Sequence, residues 1–254
     1  NLLCFIMYFF YYNPIEKVAQ ELNEKICTPR TSKKSKSKKL IIINVPEVTN
    51  PFYSEVINGI VSSATNHSYY TLISQDDLGD SQSLNSFINL LKSTRACGVV
   101  LCSPLQTQFY EQIGSLMPVV QCCEYNSEEF SYVSIDDFQA AYNVMEHIYS
   151  QGRRKIAFIN GPLNFKYARE RQRGYEAFLE HAGLARISNW SLQLSAINYD
   201  MAFASVCQLL TSSAPPDAIF ASSDLIAAAA IKAAKLHHSS CQFLPFFCNK
   251  CFMM

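Results

Sequence analysis

The sequence predicts an α/β protein of two lobes, each built on a parallel, doubly wound sheet. From residue 40 onward, short apolar runs alternate with segments of helical period, which is the pattern of α/β units. Successive apolar runs begin 29 and 27 residues apart, the span of one strand plus one helix. A second series of strands and helices follows, and we expect the two lobes to meet near residue 137.

The spacing of apolar residues predicts the strands and helices of the first lobe. Apolar runs indicate buried strands at residues 40–45, 69–74, 96–102 and 118–122. Apolar side chains that recur every three or four positions indicate helices between the first three strands. One helical stripe consists of Phe52, Val56, Ile57, Ile60 and Ala64, and the other of Leu84, Phe87, Ile88 and Leu91.

The second lobe repeats this alternation. A helix over residues 138–149 is expected to end at Gly152, and a helix over 167–182 at Gly183, because glycine commonly terminates helices. Further helices are expected over 199–210 and 223–235. Strands are expected at residues 155–160, 190–194 and 217–221.

The two ends of the chain differ from this body. Residues 1–12 form an atypical apolar segment that is shorter than the ~20 residues needed to cross a bilayer, so we expect neither an anchor nor a signal peptide. Residues 13–39 begin with a short amphipathic helix and continue as a flexible linker. Residues 237–254 show no period, and we expect the second sheet to be incomplete before them.

Charge is segregated along the chain. Lys plus Arg and Asp plus Glu each number 21, for a formal net charge of zero. Six basic residues lie within residues 30–39, which contain no acid, so 15 basic and 21 acidic residues remain elsewhere. The six are Arg30, Lys33, Lys34, Lys36, Lys38 and Lys39. The pattern predicts a basic linker joined to an acidic body.

The motifs disfavour an enzyme that uses a nucleotide or an activated serine. The chain has 8 glycines and contains neither a G-x-G-x-x-G nor a G-x-x-x-x-G-K loop, and it lacks a G-x-S-x-G elbow. We therefore expect no enzymatic activity and no cofactor. Cysteines inside apolar runs, such as Cys102 and Cys122, are expected to act as small core residues in a reducing compartment.

Some clusters have the composition of metal sites, but we expect no metal. They are Asp76 and Asp77 with Asp80, Asp136 with Asp137, and the pair Cys248 and Cys251 in the tail. Carboxylates are ligands of hard cations, but a polar turn and a helix N-terminus explain these acids more simply. The cysteine pair has a zinc-type spacing and lacks the second pair that a structural zinc site needs.

Candidate ligand contacts lie where parallel strands end, since open α/β sheets bind ligands outside those ends. In the first lobe these positions include Phe52, Tyr53, Ser103 and Glu124. The adjacent aromatic rings suit stacking on a sugar ring or a nucleobase. The alternative is that one of the two rings faces the core.

The segment ARERQRGY in the second lobe carries Arg169, Arg171 and Arg173 at alternate helical positions. Alternate positions point to different faces, so at most one of these arginines is aimed at a ligand. A guanidinium there would suit hydroxyl or carboxylate groups. A solvated basic face is the alternative, and the residues alone leave the choice among the three open.

Four segments together resemble the LacI/GalR family of transcriptional repressors, whose core is similar to a periplasmic sugar-binding protein. The segments are VPEVTNPFYSEVINGI (45–60), SIDDFQAAYNVMEHIYSQGRRKIAFINGP (134–162), ARERQRGYEAFLEHAGL (168–184) and PPDAIFASSDLIAAAAIKAA (215–234). Glu124 with Tyr125 and the 134–162 segment are most similar to the cytidine-repressor branch. The resemblance implies an N-terminal effector-binding lobe over 40–136 and a C-terminal lobe over 137–236, followed by a non-family tail.

Matched position by position, the resemblance implies six contacts with the effector. They are Phe52, Tyr53, Ser103, Glu124, Arg171 and Asp224. The two aromatic residues would stack on the ligand, and the other four would make polar contacts. Ile197 departs from the pattern, because the family usually has a stacking aromatic there; Tyr199 lies two residues further on.

The resemblance extends to the DNA side of the family. The segment PIEKVAQELN (14–23) resembles the third helix of the family's helix-turn-helix domain, and residues 24–39 its linker. The linker lysines would contact DNA phosphates, a salt-sensitive and sequence-independent interaction. They are Lys33, Lys34, Lys36, Lys38 and Lys39. In the family the two helices that enter the major groove precede this segment, but residues 1–12 show none of their pattern, so we do not expect residues 1–39 to read bases.

The resemblance implies a cytoplasmic repressor that is controlled by a nucleoside or a pentose sugar. The effector would bind between the lobes and favour their closed arrangement, and an intact homologue would bind operator DNA as a homodimer. The family continues with further strands after the helix at 223–235, whereas the tail here resembles a shifted reading frame. A solute-binding protein for transport is the main alternative, and a nucleoside-processing enzyme is another.

Overall fold

The structure is a computed structural model that describes residues 39–237. Within these residues the chain divides into two compact units, which part between Ile135 and Asp136. The expectations for residues 1–38 and 238–254, including the linker lysines up to residue 38, lie outside the described residues. Lys39, which the sequence assigned to the linker, is the exposed first residue of the first strand.

The first lobe alternates strands and helices along the chain. Its elements are β1 (Lys39–Asn44), α1 (Pro51–Asn66), β2 (Tyr69–Ser74), α2 (Ser81–Ser93), β3 (Gly98–Leu101), α3 (Thr107–Gly114), β4 (Val119–Cys122) and β5 (Ser131–Val133). Within the described residues, the strands form a parallel sheet of order β2-β1-β3-β4-β5. The order reverses between β1 and β3, which is where such sheets bind ligands.

Helices cover both faces of this sheet, which explains why its central strands read as unbroken apolar runs. Ile41 and Ile43 of β1 pack into a core cluster with α1, whereas Ile42 packs into another cluster with α2 and α3. Cys102 and Cys122 are buried free thiols within the first cluster, as their apolar surroundings in sequence predicted.

The second lobe has the same alternation. Its elements are α4 (Asp137–Ser150), β6 (Ile156–Asn160), α5 (Lys166–His181), a 3-10 turn (Ser188–Trp190), β7 (Ser191–Gln193), α6 (Tyr199–Leu210), β8 (Ala218–Ala221) and α7 (Asp224–Leu236). Its described strands form a parallel sheet of order β7-β6-β8. The carboxyl ends of all three strands therefore lie at one edge of the sheet.

Two packing features of the second lobe are set by single residues. A Cβ atom on Gly174 of α5 would lie 2.4 Å from the carbonyl oxygen of Phe138 in α4, so these helices approach closely because the side chain is a hydrogen. Trp190 is 5% exposed, and its indole Nε1 donates to the Ala214 carbonyl at 2.9 Å. Both residues belong to the packed interior of this lobe.

The structure confirms the predicted α/β class and its parallel sheets. The predicted strands and helices of the body are all present, with ends displaced by a few residues. The sequence interpretation did not include α3, β5 or the 3-10 turn. None of the helices within residues 39–237 is long and apolar enough to cross a bilayer.

Candidate functional site

A buried hydrogen-bond network connects three strand ends of the first lobe. Asn44, the last residue of β1, is 0% exposed, and its Nδ2 donates to Ser74 Oγ at 3.3 Å and to the Asp76 carbonyl at 3.1 Å. Its Oδ1 accepts from Ser103 Oγ at 2.9 Å. Asn44 therefore orients Ser103, a predicted ligand contact, from the neighbouring strand.

A second buried amide organises the loop between β4 and β5. Gln121 in β4 is 0% exposed, donates to the Ser127 carbonyl at 2.6 Å and accepts from the Asn126 amide at 3.0 Å. The Asn126 side chain in turn donates to the Leu105 carbonyl at 2.6 Å. The loop is thus fastened both to its own strand and to the segment that follows β3.

Glu124 leaves this sheet through a constrained turn. Cys123 has φ of 69°, in the left-handed region that residues other than glycine rarely adopt, and the Glu124 amide donates to the Cys122 carbonyl at 2.8 Å. Ser134 Oγ donates to the Cys123 carbonyl at 2.8 Å, which holds the turn from the other side. Glu124 itself is 2% exposed, so its carboxyl group is directed inward.

The two predicted stacking rings differ in exposure. Asn50 caps α1 by accepting from the Phe52 amide at 3.1 Å, and Pro51 occupies the first helical turn. Tyr53 is 6% exposed and belongs to the core cluster beneath α1, whereas Phe52 is partly buried. The rings meet edge to face, with centroids 5.0 Å apart. Phe52 is thus the more accessible ring.

An ion cluster at the start of α4 dominates the second lobe. Asp137 is 2% exposed, and its Oδ2 lies 3.0 Å from Lys166 Nζ. Its Oδ1 accepts from Arg171 Nε at 2.9 Å and lies 2.9 Å from Arg171 Nη2. Arg171 Nη1 also donates to the Ser222 carbonyl at the end of β8. The cluster therefore fixes the Arg171 guanidinium between α4, α5 and β8.

The sequence left open which of Arg169, Arg171 and Arg173 is aimed at a ligand, and the three side chains have different surroundings. Arg169 donates to the carbonyls of Leu163 and Asn164 at 2.9 Å each, and Arg173 pairs with Glu170 in an exposed contact. The side chain of Arg171 is 12% exposed and belongs to the buried ion cluster. Arg171, the position singled out by resemblance, is the arginine that the fold holds rigidly.

The end of β6 is packed tightly around Gly161. Asn160 is 2% exposed, and its Nδ2 donates to the Ala168 carbonyl at 3.0 Å. The Gly161 amide donates to Ser222 Oγ at 3.1 Å, and its carbonyl accepts from Gln193. A Cβ atom on Gly161 would lie 2.4 Å from Ile197 Cδ1, so Ile197 packs directly over this glycine.

Asp224, the remaining predicted contact, is the first residue of α7 and is partly buried. Ser223 precedes it as the N-cap, and its Oγ accepts from the Ile226 amide at 3.4 Å. A carboxylate in the first turn of a helix interacts favourably with the helix dipole.

Acidic residues that the sequence grouped as possible metal ligands cap helices in both lobes. Asp80 caps α2 by accepting from the Ser83 and Gln82 amides, and the Ser83 hydrogen bonds lower the pKa of its carboxyl group. Asp136 caps α4 by accepting from the Gln139 amide at 2.9 Å. Within residues 39–237, no group of three or more His, Cys, Asp or Glu side chains is arranged to hold a metal ion.

Sequence reasoning missed several residues that organise the predicted contacts. They are Asn44, Gln121, Asn160 and Lys166, and Asp137 was considered only as an acid at a helix N-terminus. Asn44 and Asn160 share a usable signal, since each is a polar residue that closes an apolar strand. Lys166 gives no such signal, because its partner Asp137 is 29 residues away in sequence.

Two parallel α/β lobes, each with polar side chains at its strand ends, define a periplasmic-binding-protein-like ligand-binding protein. The chain belongs to the family of periplasmic binding proteins and sugar binding domains of the LacI family, whose model matches residues 37–240.

Known relatives include transcriptional repressors. The chain is 31% identical over 229 residues to the HTH-type transcriptional repressor CytR of Escherichia coli, a match of 88% of this chain and 66% of CytR. It is 28% identical over 218 residues to the ribose operon repressor of Halalkalibacterium halodurans, a match of 85% of this chain and 64% of that protein. The chain thus spans slightly less than two thirds of the length of these curated relatives.

A solved structure shares the fold at a similar level of identity. An uncharacterized protein from Actinobacillus succinogenes superposes with a TM-score of 0.70 and is 30% identical, over 79% of this chain and 75% of that one.

Proposed function

We propose that this chain is the effector-binding core of a DNA-binding transcriptional repressor, and that its effector is a nucleoside or a pentose sugar. The family match supports the ligand-binding core, and relatives named as the CytR and ribose operon repressors support the repressor role. These relatives favour a repressor over a solute-binding protein for transport. They also favour a cytoplasmic, non-enzymatic protein that acts on operator DNA as a homodimer.

The observation that carries the proposal is the way Arg171 is held. A guanidinium has five N–H donors, and here Nε and part of Nη2 face Asp137 while part of Nη1 is bonded to Ser222. The group is therefore fixed and still has N–H donors on Nη1 and Nη2 for a ligand. A rigid planar donor suits vicinal hydroxyl groups, which both a nucleoside and a pentose carry.

The proposed contacts come from both lobes, with residues 40–136 and 137–236 as the two effector-binding units. Phe52 would stack on the ligand with Tyr53 supporting it edge-on, and Ser103 and Glu124 would bind polar groups. Arg171 and Asp224 would supply the contacts of the second unit. Lys33, Lys34, Lys36, Lys38 and Lys39 are proposed to contact DNA phosphates.

Calorimetric titration of the full chain with cytidine, adenosine and ribose tests the proposal. We expect at least one of the three to bind, and Arg171→Lys to weaken binding strongly, since an ammonium group cannot reproduce the planar fork. Arg173→Lys is the matched control, because Arg173 is exposed on the same helix and should leave affinity unchanged. Absence of binding by all three ligands would refute the proposed effector class.

A further inference from the structure

The hydrogen bonds around Asn44 fix which of its neighbours donate and which accept. The Asn44 side chain is 0% exposed, and its two ends face chemically different partners. One end lies 3.1 Å from the Asp76 carbonyl oxygen and 3.3 Å from Ser74 Oγ, and the other lies 2.9 Å from Ser103 Oγ. A carbonyl oxygen can only accept, so the end that faces Asp76 is the NH2 group. The amide therefore has one allowed orientation, with Oδ1 toward Ser103.

The side chain of Asp76 imposes the same orientation. A carboxylate accepts and has no proton to give, so Ser74 Oγ donates its one proton to Asp76 Oδ2. Toward Asn44, Ser74 Oγ can then only accept, and this is what the Nδ2 donor requires. The backbone and the carboxylate of Asp76 thus agree on the direction of every hydrogen bond in the network.

This direction determines what Ser103 can offer to a ligand. Asn44 Oδ1 can only accept, so Ser103 Oγ donates its single proton to it. Asn44 ends β1 and Ser103 follows β3, and the strand order of the sheet reverses between these two neighbouring strands, where open α/β sheets bind ligands. Toward a ligand at this edge, the Ser103 oxygen presents lone pairs and no proton.

We propose that Ser103 is a specificity-determining residue that accepts a hydrogen bond from the effector and does not donate one. The inference rests on the proposed function, in which Ser103 contacts the effector. Turning the Ser103 hydroxyl toward the ligand would leave Asn44 Oδ1 buried without a donor, which is unfavourable. The effector must therefore present a hydroxyl or amino hydrogen at this contact. A phosphate, a keto oxygen or a fluorine at the same place would bring acceptor against acceptor and is selected against.

The central test varies one polar group of the ligand at a time. Calorimetric titration of the full chain compares cytidine, adenosine and ribose with analogues in which one hydroxyl is replaced by hydrogen, fluorine or an amino group. Uridine and inosine replace the amino group of the base by oxygen. At one position we expect any donor to keep affinity within about threefold and its replacement by hydrogen or an acceptor to cost about tenfold, as for one hydrogen bond to a buried group. If acceptors bind as well as donors at every position, the proposal is wrong.

Substitutions in the protein identify the residue that creates this preference. Ser103→Ala removes the acceptor, so the preference for a donor at that position should disappear. Asn44→Ala keeps Ser103 and releases its proton, so acceptor analogues should gain affinity relative to donor analogues even though overall affinity falls. Ser86→Ala is the matched control, because this serine is exposed on α2 and should leave the ranking unchanged. A preference that persists in Ser103→Ala would come from another residue and would overturn the proposal.

A readout without an effector separates this inference from the proposed function. Hydrogen exchange followed by NMR reports on the Asn44 side-chain NH2 group, which faces Ser74 and Asp76 and should be protected. Ser74→Ala should lower this protection, whereas Ser103→Ala should not. If no probe binds and this pattern is found, the effector class is wrong and the polarity of Ser103 stands. If Ser103→Ala removes the protection and Ser74→Ala does not, the amide is turned the other way and the inference is wrong.

Discussion

Arg171 and Asp137 are 34 residues apart in sequence, and Arg171 Nε donates to Asp137 Oδ1 at 2.9 Å in the interior of the second lobe. The same carboxylate lies 3.0 Å from Lys166 Nζ, so one buried anion pairs with two cations. The pair also joins the first turn of α4 to the middle of α5. Stability and the orientation of a proposed ligand contact therefore depend on the same side chain.

Asp137→Asn should be among the most damaging substitutions in the chain. It retains the size of the side chain and leaves Lys166 and Arg171 buried without a counter-charge, which costs about 3–5 kcal/mol of unfolding free energy. Urea denaturation measures the loss. Asp136→Asn is the matched control, because the adjacent residue is exposed and asparagine can cap α4 equally well. Equal stabilities of the two variants would show that the ion cluster contributes nothing.

Asn44→Ala should disrupt the strand ends of the first lobe. It removes the partner of Ser103 and a donor to Ser74, and each buried polar group left unsatisfied costs about 1–3 kcal/mol. The unfolding free energy should fall accordingly, and affinity for the effector should fall with it because Ser103 loses its orientation. Asn85→Ala, at an exposed position of α2, should leave both measurements unchanged.

Gly174→Ala tests the close contact between α4 and α5. The added methyl group would lie 2.4 Å from the Phe138 carbonyl oxygen, and backbone cannot move aside as a side chain can. We expect a loss of about 1–3 kcal/mol, in spite of the higher helix propensity of alanine. Glu180→Ala, exposed on the same helix, should change stability by less than about 0.5 kcal/mol. A Gly174→Ala protein as stable as the wild type would contradict the packing described.

Tyr175 should make the protein sensitive to alkaline pH. Burial raises the pKa of its phenol to about 12, against an ordinary value of 10.0. The native state therefore retains the proton between pH 10 and 12 while the unfolded state loses it, so stability is fully present below pH 10 and decreases above it. The decrease is about 1.4 kcal/mol per pH unit.

Tyr175→Phe isolates this contribution. At pH 8 the variant should be less stable by about 0.5–1.5 kcal/mol, because the hydrogen bond to Ile156 is lost. Urea unfolding at intervals up to pH 11 should show this difference in unfolding free energy decreasing, because ionisation of Tyr175 in the unfolded state destabilises the native wild type. A difference that is constant with pH would mean that Tyr175 titrates equally in both states.

Much of the fold could be predicted because its signals are local. An apolar stripe such as Leu84, Phe87 and Ile88 shows the helical period whatever tertiary contacts it makes. Buried parallel strands appear in the sequence as apolar runs. Helix α3 was missed because it spans 8 residues and its N-cap residue, Gln106, makes no capping hydrogen bond through its side chain. Strand β5 has 3 residues, too few for a period to show.

The candidate site was less predictable because its organisation is non-local. Phe52 and Ser103 were named from their positions after strand ends and from resemblance, and Arg171 was chosen by resemblance alone; strand ends and resemblance are both sequence properties. Asn44 orients Ser103 from 59 residues away, which becomes visible only when β1 and β3 are paired. The buried partner Asp137 likewise distinguishes Arg171 from Arg169, and that contact depends on the packing of α5 against α4.

Trp190 is the one tryptophan in the 254-residue chain, and it is buried in the second lobe. Excitation at the red edge of the tryptophan absorption band therefore yields fluorescence from that lobe alone, and the first lobe gives no tryptophan emission. Loss of structure in the first lobe can be followed by tyrosine absorbance or circular dichroism instead. Comparing these signals during denaturation would reveal whether the lobes melt as one cooperative unit or in succession, without any engineered label.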